Sequence, residues 1–450
     1  MSTWIDQIPA AARTYIENNR LDEVECVIAD LPGIARGKAV PAAKWERQTS
    51  FHLPNSIFYQ TITGDWGEAA EDGFTEPDMI LKPDLATTTA APWASDGTLQ
   101  VIHDAFDLKG KPIGCAPRNV LKRVVDLYKK EGWTPVVAPE MEFYLVDDSG
   151  IELRQPKSPR SGKRRPGAEI LSLRALDAFD AFFNDLYDGC EAMDIPTEAA
   201  TSEVGLGQFE INLVHVDDAL KAADDAYFFK MLVRGLARKH GMAASFMAKP
   251  YADYAGSGMH VHFSVIDKDG KNIFANDTFE GTPALQQAIA GCLKGIADLT
   301  LIFAPHGNSY ERLVPESHAP TGICWAYDNR TASVRVPGGS FKARRIEHRV
   351  AGGDVNPYLF LAAVLGSALI GIEDKLTPPA PISGNAYEQD QPQIPDTWEA
   401  AIDRFEESDI AERIFPTHLI QNLVLTKRQE LHYLSSMSES EKLDLYLDTV

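Results

Sequence analysis

Met259-His260-Val261-His262-Phe263-Ser264 alternates strictly between apolar and polar residues. In an extended chain successive side chains point to opposite faces, so His260, His262 and Ser264 share one face and Met259, Val261 and Phe263 the other. The pattern recurs in Pro139-Glu140-Met141-Glu142-Phe143-Tyr144, where two glutamates lie opposite Met141 and Phe143. It recurs again in Gly207-Gln208-Phe209-Glu210-Ile211-Asn212-Leu213, in Thr331–Val336 around Arg335, and in Arg345-Ile346-Glu347-His348-Arg349-Val350. A single alternating strand reads as a sheet with one solvated face. Five strands whose polar faces carry carboxylates, imidazoles and guanidiniums read as faces that converge on a pocket.

Those residue types fit one kind of chemistry. Carboxylate oxygens, with an occasional imidazole, hold hard divalent cations such as Mg²⁺ or Mn²⁺. Glutamates crowded on one face repel one another unless a cation or arginines compensate. Arginine binds two phosphate oxygens at once and keeps its charge. The set therefore points to phosphoryl transfer. No GxxxxGK[ST] phosphate loop, kinase signature, GxSxG elbow or recognisable cysteine nucleophile is present.

The remaining text sets broader bounds. A chain of 450 residues, 44% hydrophobic, has ample core and room for two to four domains. No apolar run approaches the roughly 18–20 residues that span a bilayer, and the start lacks a basic segment followed by an apolar core. Neither membrane insertion nor secretion is indicated. The five cysteines form no CxxC pair, the usage of a reducing cytoplasm. A net charge of −22 disfavours nucleic acid and anionic lipid as partners. The spacing predicts an amphipathic helix over residues 3–20, a strand at Val24–Ala29, and a turn through Asp30–Lys38. An acidic loop over 61–78 follows, then a boundary near Asp107–Pro112, a helix at Asn119–Lys130, alternating strands and helices to about residue 370, and a mostly helical C-terminal region. The interrupted basic stretch Lys157–Arg165 reads as a solvated loop.

Taken together, these segments resemble the glutamine synthetases, and within that superfamily the gamma-glutamylpolyamine synthetases. The likeness runs through the Asp30–Lys38 turn, Thr75–Asp84, Pro139–Phe143, Glu203–Glu210, Lys249–His262, Asn308–Pro320 and Asn329–Arg349. Its most specific parts are Gly256-Ser257-Gly258-Met259-His260-Val261-His262 and Lys342-Ala343-Arg344-Arg345-Ile346-Glu347. The resemblance implies an α+β fold with a small N-terminal beta-grasp domain (1–108) and a large catalytic domain (109–450), whose antiparallel strands form an open half-barrel surrounded by helices. It implies a dodecamer of two hexameric rings, with active sites shared between subunits. Glu142, Glu203 and Glu210 resemble ligands of one metal; Glu140, His260 and Glu347 resemble ligands of a second that bridges ATP phosphates. His262, Ser264, Arg335, Lys342 and Arg345 resemble ATP contacts, and Arg330 joins the cluster that neutralises the transferring phosphoryl group. Gly256, Arg312 and Arg349 resemble the L-glutamate site.

The stretch Asn308–Pro320 departs from the ammonia-using members, because His318 stands where they carry a glutamate that handles ammonium. The partner acid lies on a loop resembling 61–78, where Asp65 is the nearest candidate and Glu68, Glu71 and Asp72 add charge. A neutral imidazole accepts a proton from an alkylammonium more readily than it traps NH₄⁺. The expected activity is ATP-dependent joining of the glutamate gamma-carboxylate to a primary amine, such as putrescine or spermidine, via gamma-glutamyl phosphate. The alternatives are a ligase for a monoamine, ethanolamine or an aromatic amine, a true glutamine synthetase, and a non-catalytic homologue.

Overall fold

A computed structural model describes residues 4–67, 75–150, 153–164 and 170–450. Two sheets organise it. The first has β1 (Glu23–Ala29), β2 (Ala35–Pro41), β3 (Phe51–Pro54), β4 (Asp78–Pro83), β5 (Thr89–Ala90) and β6 (Thr98–Phe106). Its order is β2-β1-β6-β4-β3, with β5 also on β6. The β1–β6 pair is parallel and the others are antiparallel.

The second sheet has eight strands: β7 (Trp133–Val146), β8 (Thr197–Ser202), β9 (Gln208–Leu213), β10 (Ala243–Ser245), β11 (Met259–Asp267), β12 (Trp325–Tyr327), β13 (Val334–Val336) and β14 (Ile346–His348). Their order is β12-β13-β14-β11-β7-β9-β8, with β10 on β7. Register here decides function. Opposite residues of neighbouring strands share a face, and the pairing sets His260 against Glu140, Glu140 against Asn212, and Glu142 against Glu210. On the other flank His262 faces Glu347, and Glu347 faces Arg335. One residue of slip in β11 would turn both histidines to the apolar side.

That apolar side is filled by Met141, Phe143, Phe209, Ile211, Val261 and Phe263, all within the large core cluster. Helices cover it. Pro357–Glu373 is buried from Pro357 through Gly371; its cap is Asn356, whose side chain accepts from Tyr358 N and Leu359 N, with proline at the first helical position. Glycines let it approach the helix Pro283–Asp298 closely: a Cβ at Gly291 would stand 2.1 Å from the Ser367 carbonyl oxygen.

Two buried polar joints bind the first sheet to the rest. Arg118, at the start of the helix Pro117–Lys130, pairs with Asp84 after β4, Asp104 on β6 and Asp224 in the helix Ala219–Lys239, at 2.9, 2.8 and 2.7 Å. The Asn356 side chain also donates to the carbonyls of Asp30 and Leu31. Asp30 itself is fully buried, accepting from Ile34 N and Arg36 Nε, which fixes the Asp30–Lys38 turn.

The expected helix at 3–20 is shorter, Ala10–Asn18 after a 3-10 turn at Trp4–Gln7. The strand expected over Thr331–Val336 narrows to Val334–Val336, because Asn329 holds the backbone N–H and hydroxyl of Thr331 in a turn. Glu68, Glu71 and Asp72 lie outside the described residues. Among those described, no helix is long and apolar enough to cross a membrane.

Candidate active site

The polar faces of β7, β9 and β11 open onto a cleft of about 620 Å³. Glu140, Glu142, Glu203, Glu210, His260 and His262 line it, together with Arg312, Arg330, Arg345 and Arg349, and with Gly256 and His318. Most of the residues singled out in the sequence therefore meet in one place.

The carboxylates fall into two electrostatic groups. Glu347 is fully buried and accepts from Arg335 Nη1 at 2.7 Å and from Arg349. Burial opposes its charge, but Arg349, His262 and His260 outweigh burial and hold the carboxyl down at about 2. Glu140 is likewise driven below the usual range against its burial, because it accepts from His262 Nε2 at 2.9 Å and from His260 Nδ1 at 3.3 Å. Arg345 Nε donates to His262 Nδ1 at 3.0 Å, which leaves the His262 proton on Nε2, facing Glu140.

Glu142, Glu203 and Glu210 behave in the opposite way. Burial together with Glu142, Glu140 and Glu203 pushes Glu210 up to about 9. Burial raises Glu142 to about 7 despite the opposing charge of Arg312, and burial also raises Glu203. Acids crowded and buried in this way repel one another, a setting in which a bound cation would be favoured. The donor geometry agrees. The ligand atoms of Glu140, Glu210 and His260 lie within 4.8 Å of one another, as do those of Glu140, His262 and Glu347. His260 Nε2 is buried without a hydrogen-bond partner. Carboxylates plus an orphaned imidazole nitrogen fit a divalent cation. The grouping differs in detail from the sequence reading: His262 joins a donor group, while Glu142 and Glu203 line the cleft outside both.

The glutamate end is built on close backbone packing. Arg312 is nine-tenths buried or more and donates from Nη1 to the Val350 carbonyl at 2.7 Å. It crosses Gly256 and Gly258 so tightly that a Cβ at either would meet it at 2.7 Å. Gln208 Nε2 donates to the Gly256 carbonyl, and Gly258 N donates to Glu142, so this loop is tied to β7 and β9. His318 sits exposed at the cleft wall with a left-handed backbone, φ 64°. Ser317 Oγ, beside it, donates to the Arg312 carbonyl at 2.8 Å.

Five expected residues do not line the cleft, the fully buried Glu347 described above among them. Ser264 follows His262 on the same face of β11, half-buried, farther along the strand. Arg335 stands behind Glu347, also bound to Asp328 at 2.6 Å. Lys342 is exposed on the short turn Phe341–Ala343. Asp65 is exposed and accepts from the Thr63 hydroxyl, on a loop held to the helix Thr417–Leu434 by Glu430, which accepts from Ile62 N. Conversely, His215, Glu198, Ile170 and Leu171 line the cleft and were not singled out from sequence. His215 lies two residues past the end of β9 and out of phase with Gln208, Glu210 and Asn212, so strand phase gave no signal for it; the others lie on loops or on β8 and carried none.

A cation donor set ringed by arginines is the equipment of an enzyme that handles polyphosphate. Residues 114–446 match the glutamine synthetase catalytic domain. The gamma-glutamylputrescine synthetase of Escherichia coli (strain K12) is 36% identical over 396 residues, spanning 87% of this chain and 84% of that one. The glutamate–isopropylamine ligase of a Pseudomonas species is 34% identical over 454 positions, spanning 97% of each. A solved GmaS/ADP complex superposes with a TM-score of 0.82 at 25% identity, covering 95% of this chain and 97% of that one. The chain belongs to the glutamine synthetase family, and as such it is an ATP-dependent ligase that forms a carbon–nitrogen bond at glutamate.

Proposed function

We propose that the chain joins the gamma-carboxylate of L-glutamate to a primary amine rather than to ammonia. The observation that carries this is His318, an imidazole on the wall of the cleft that Glu142, Glu203 and Glu210 also line. Arg312 and Arg349, with the Gly256 backbone, bind and orient glutamate. His262 and Arg345 serve the nucleotide from within the cleft, and Ser264, Arg335 and Lys342 from outside it. Glu142, Glu203 and Glu210 on one side, and Glu140, His260 and Glu347 on the other, would hold two divalent cations. Bound there, Mg²⁺ or Mn²⁺ would offset charge on the phosphate oxygens. Arg330, exposed on the cleft lining, neutralises the gamma-phosphoryl group as it passes to the glutamate carboxylate. An imidazole nitrogen of His318 takes the proton from the incoming alkylammonium; the free amine attacks the acyl carbon, the acyl carbon–oxygen bond to phosphate breaks, and the phosphate leaves with the second amine proton.

The likeness to a relative named for putrescine supports a polyamine such as putrescine or spermidine as this chain's acceptor, and the likeness to one named for isopropylamine supports a monoamine. On the same reading residues 1–108 form a beta-grasp domain and 109–450 the catalytic domain. Support comes from the strand-free stretch between β6, ending at Phe106, and the helix starting at Pro117. Asp65, outside the cleft of its own chain, would act in the site of a neighbouring subunit, in a cytoplasmic dodecamer. Phosphate release measured with ATP, Mg²⁺, glutamate and a panel of amines tests the reading. Turnover with alkylamines and little with ammonium is expected; efficient glutamine formation from ammonium alone refutes it.

A further inference from the structure

Large apolar side chains rarely cluster on a surface without a partner. Here Ile170 is 57% exposed, Leu171 69%, Leu173 76% and Val204 36%. Ile170, Leu171 and Val204 line the catalytic cleft itself, beside Glu203 and on the same cavity surface as His318. The arrangement is held in place. Leu171 has φ 54°, a left-handed conformation that leucine rarely adopts. It persists because Leu171 N donates to the Ser202 carbonyl at 2.8 Å and Ser172 N to Ser202 Oγ at 2.8 Å. Ser202 ends β8 and directly precedes Glu203. The strand that delivers a carboxylate to the cleft thus also presents a leucine to it. Strain retained at a cleft wall, on a side chain left in solvent, points to a role in what the cleft receives.

We propose that Ile170, Leu171 and Val204 form the wall that receives the apolar substituent of the amine, and that Leu171 sets acceptor specificity. The inference rests on the glutamate–amine ligase reading and narrows it. The Glu203 and Glu198 carboxylates in the same cleft attract the ammonium head, while the apolar wall takes the hydrocarbon. The favoured acceptor is a primary amine with an alkyl or aralkyl group and no second charge. A distal ammonium would have to be desolvated against leucine and isoleucine.

Steady-state kinetics at saturating ATP, Mg²⁺ and glutamate test this with ammonium, methylamine, n-butylamine, benzylamine and putrescine. In the wild type kcat/KM should climb about two- to fourfold per methylene, the upper value being the roughly 0.8 kcal/mol of a fully buried CH₂. n-Butylamine should exceed putrescine. Leu171→Gly suits the left-handed backbone, so it removes the side chain without new strain. It should cost n-butylamine about tenfold and leave methylamine and the KM values of ATP and glutamate within twofold. Leu171→Asp should raise the putrescine-to-butylamine ratio at least tenfold. A flat wild-type series, a preference for putrescine, or variants that leave the series unmoved would overturn the wall. Variants that shift oligomeric mass while the series stays unmoved would overturn it too, assigning these residues to a subunit contact. Ammonium as the sole acceptor would overturn the ligase reading itself, a separate outcome.

Discussion

Replacing Gly256 with alanine should damage glutamate binding specifically, and the structure indicates by how much. The new Cβ would stand 2.5 Å from the Ala248 carbonyl oxygen, 2.7 Å from Arg312 Cγ and 3.0 Å from Cδ. The first two contacts lie inside the 3.0 Å that Cβ atoms essentially never breach. The Ala248 oxygen is held by Ser257 N at 2.9 Å, so the arginine stem is the softer neighbour. Its movement drags a guanidinium anchored on the Val350 carbonyl. Overpacking of this kind costs about 1–3 kcal/mol of stability. A catalytic group misplaced by about 1 Å costs on the order of 10²-fold in rate. The expectation for Gly256→Ala is a melting point lower by several degrees, a glutamate KM raised at least about tenfold, and an ATP KM within about twofold. A folded variant with unchanged glutamate KM would refute the placement of Arg312 against substrate.

Four further outcomes follow from the same structure. Arg118→Met should destabilise the fold by about 3–5 kcal/mol, read as a lower denaturation midpoint, since it strands three carboxylates around a buried site; a midpoint shift under about 1 kcal/mol would count against the joint. Gly291→Leu should cost at least about 2 kcal/mol or prevent folding, because even a Cβ there meets backbone at 2.1 Å; a normal melting curve would contradict the helix packing. Glu210→Gln should leave the metal-free melting point nearly unchanged, as burial and its neighbours already favour the protonated carboxyl, while shrinking the stabilisation by added Mg²⁺; an undiminished Mg²⁺ effect would remove Glu210 from the donor set. Asp30 is pushed up by burial, against Arg36, to about 6. A raised folded-state value means its contribution is fully present below the unfolded value near 3.8 and is lost as pH rises through about 6. Relative to Asp30→Asn, the wild type should therefore gain on the order of 2 kcal/mol between pH 7 and pH 4; a pH-independent difference would contradict it.

The alternating strands were legible because a half-buried strand writes its two faces into the sequence at period two. The register was not. That Glu140 sits opposite His260 and Glu142 opposite Glu210 depends on how strands distant in sequence align. For that reason the pairing of His262 with Glu140, and the exact donor groups, appear only in three dimensions. Period-two text also ran past the true strand at Thr331–Ser333, where an Asn329 side chain bends the backbone into a turn. Arg118 was invisible for another reason. Its three aspartates come from two strands' ends and a distant helix, and an isolated arginine carries no local mark of burial. Leu171 carries no mark in the sequence; its exposure at the cleft is what gives it meaning.

The account turns on the acceptor. The most direct measurement is kcat/KM for phosphate release with ATP, Mg²⁺ and glutamate, comparing ammonium with n-butylamine in wild type and His318→Glu. The account predicts that butylamine exceeds ammonium by at least about tenfold in the wild type, and that His318→Glu moves the ratio toward ammonium. Equal or better use of ammonium by the wild type, or a ratio indifferent to His318→Glu, would contradict it.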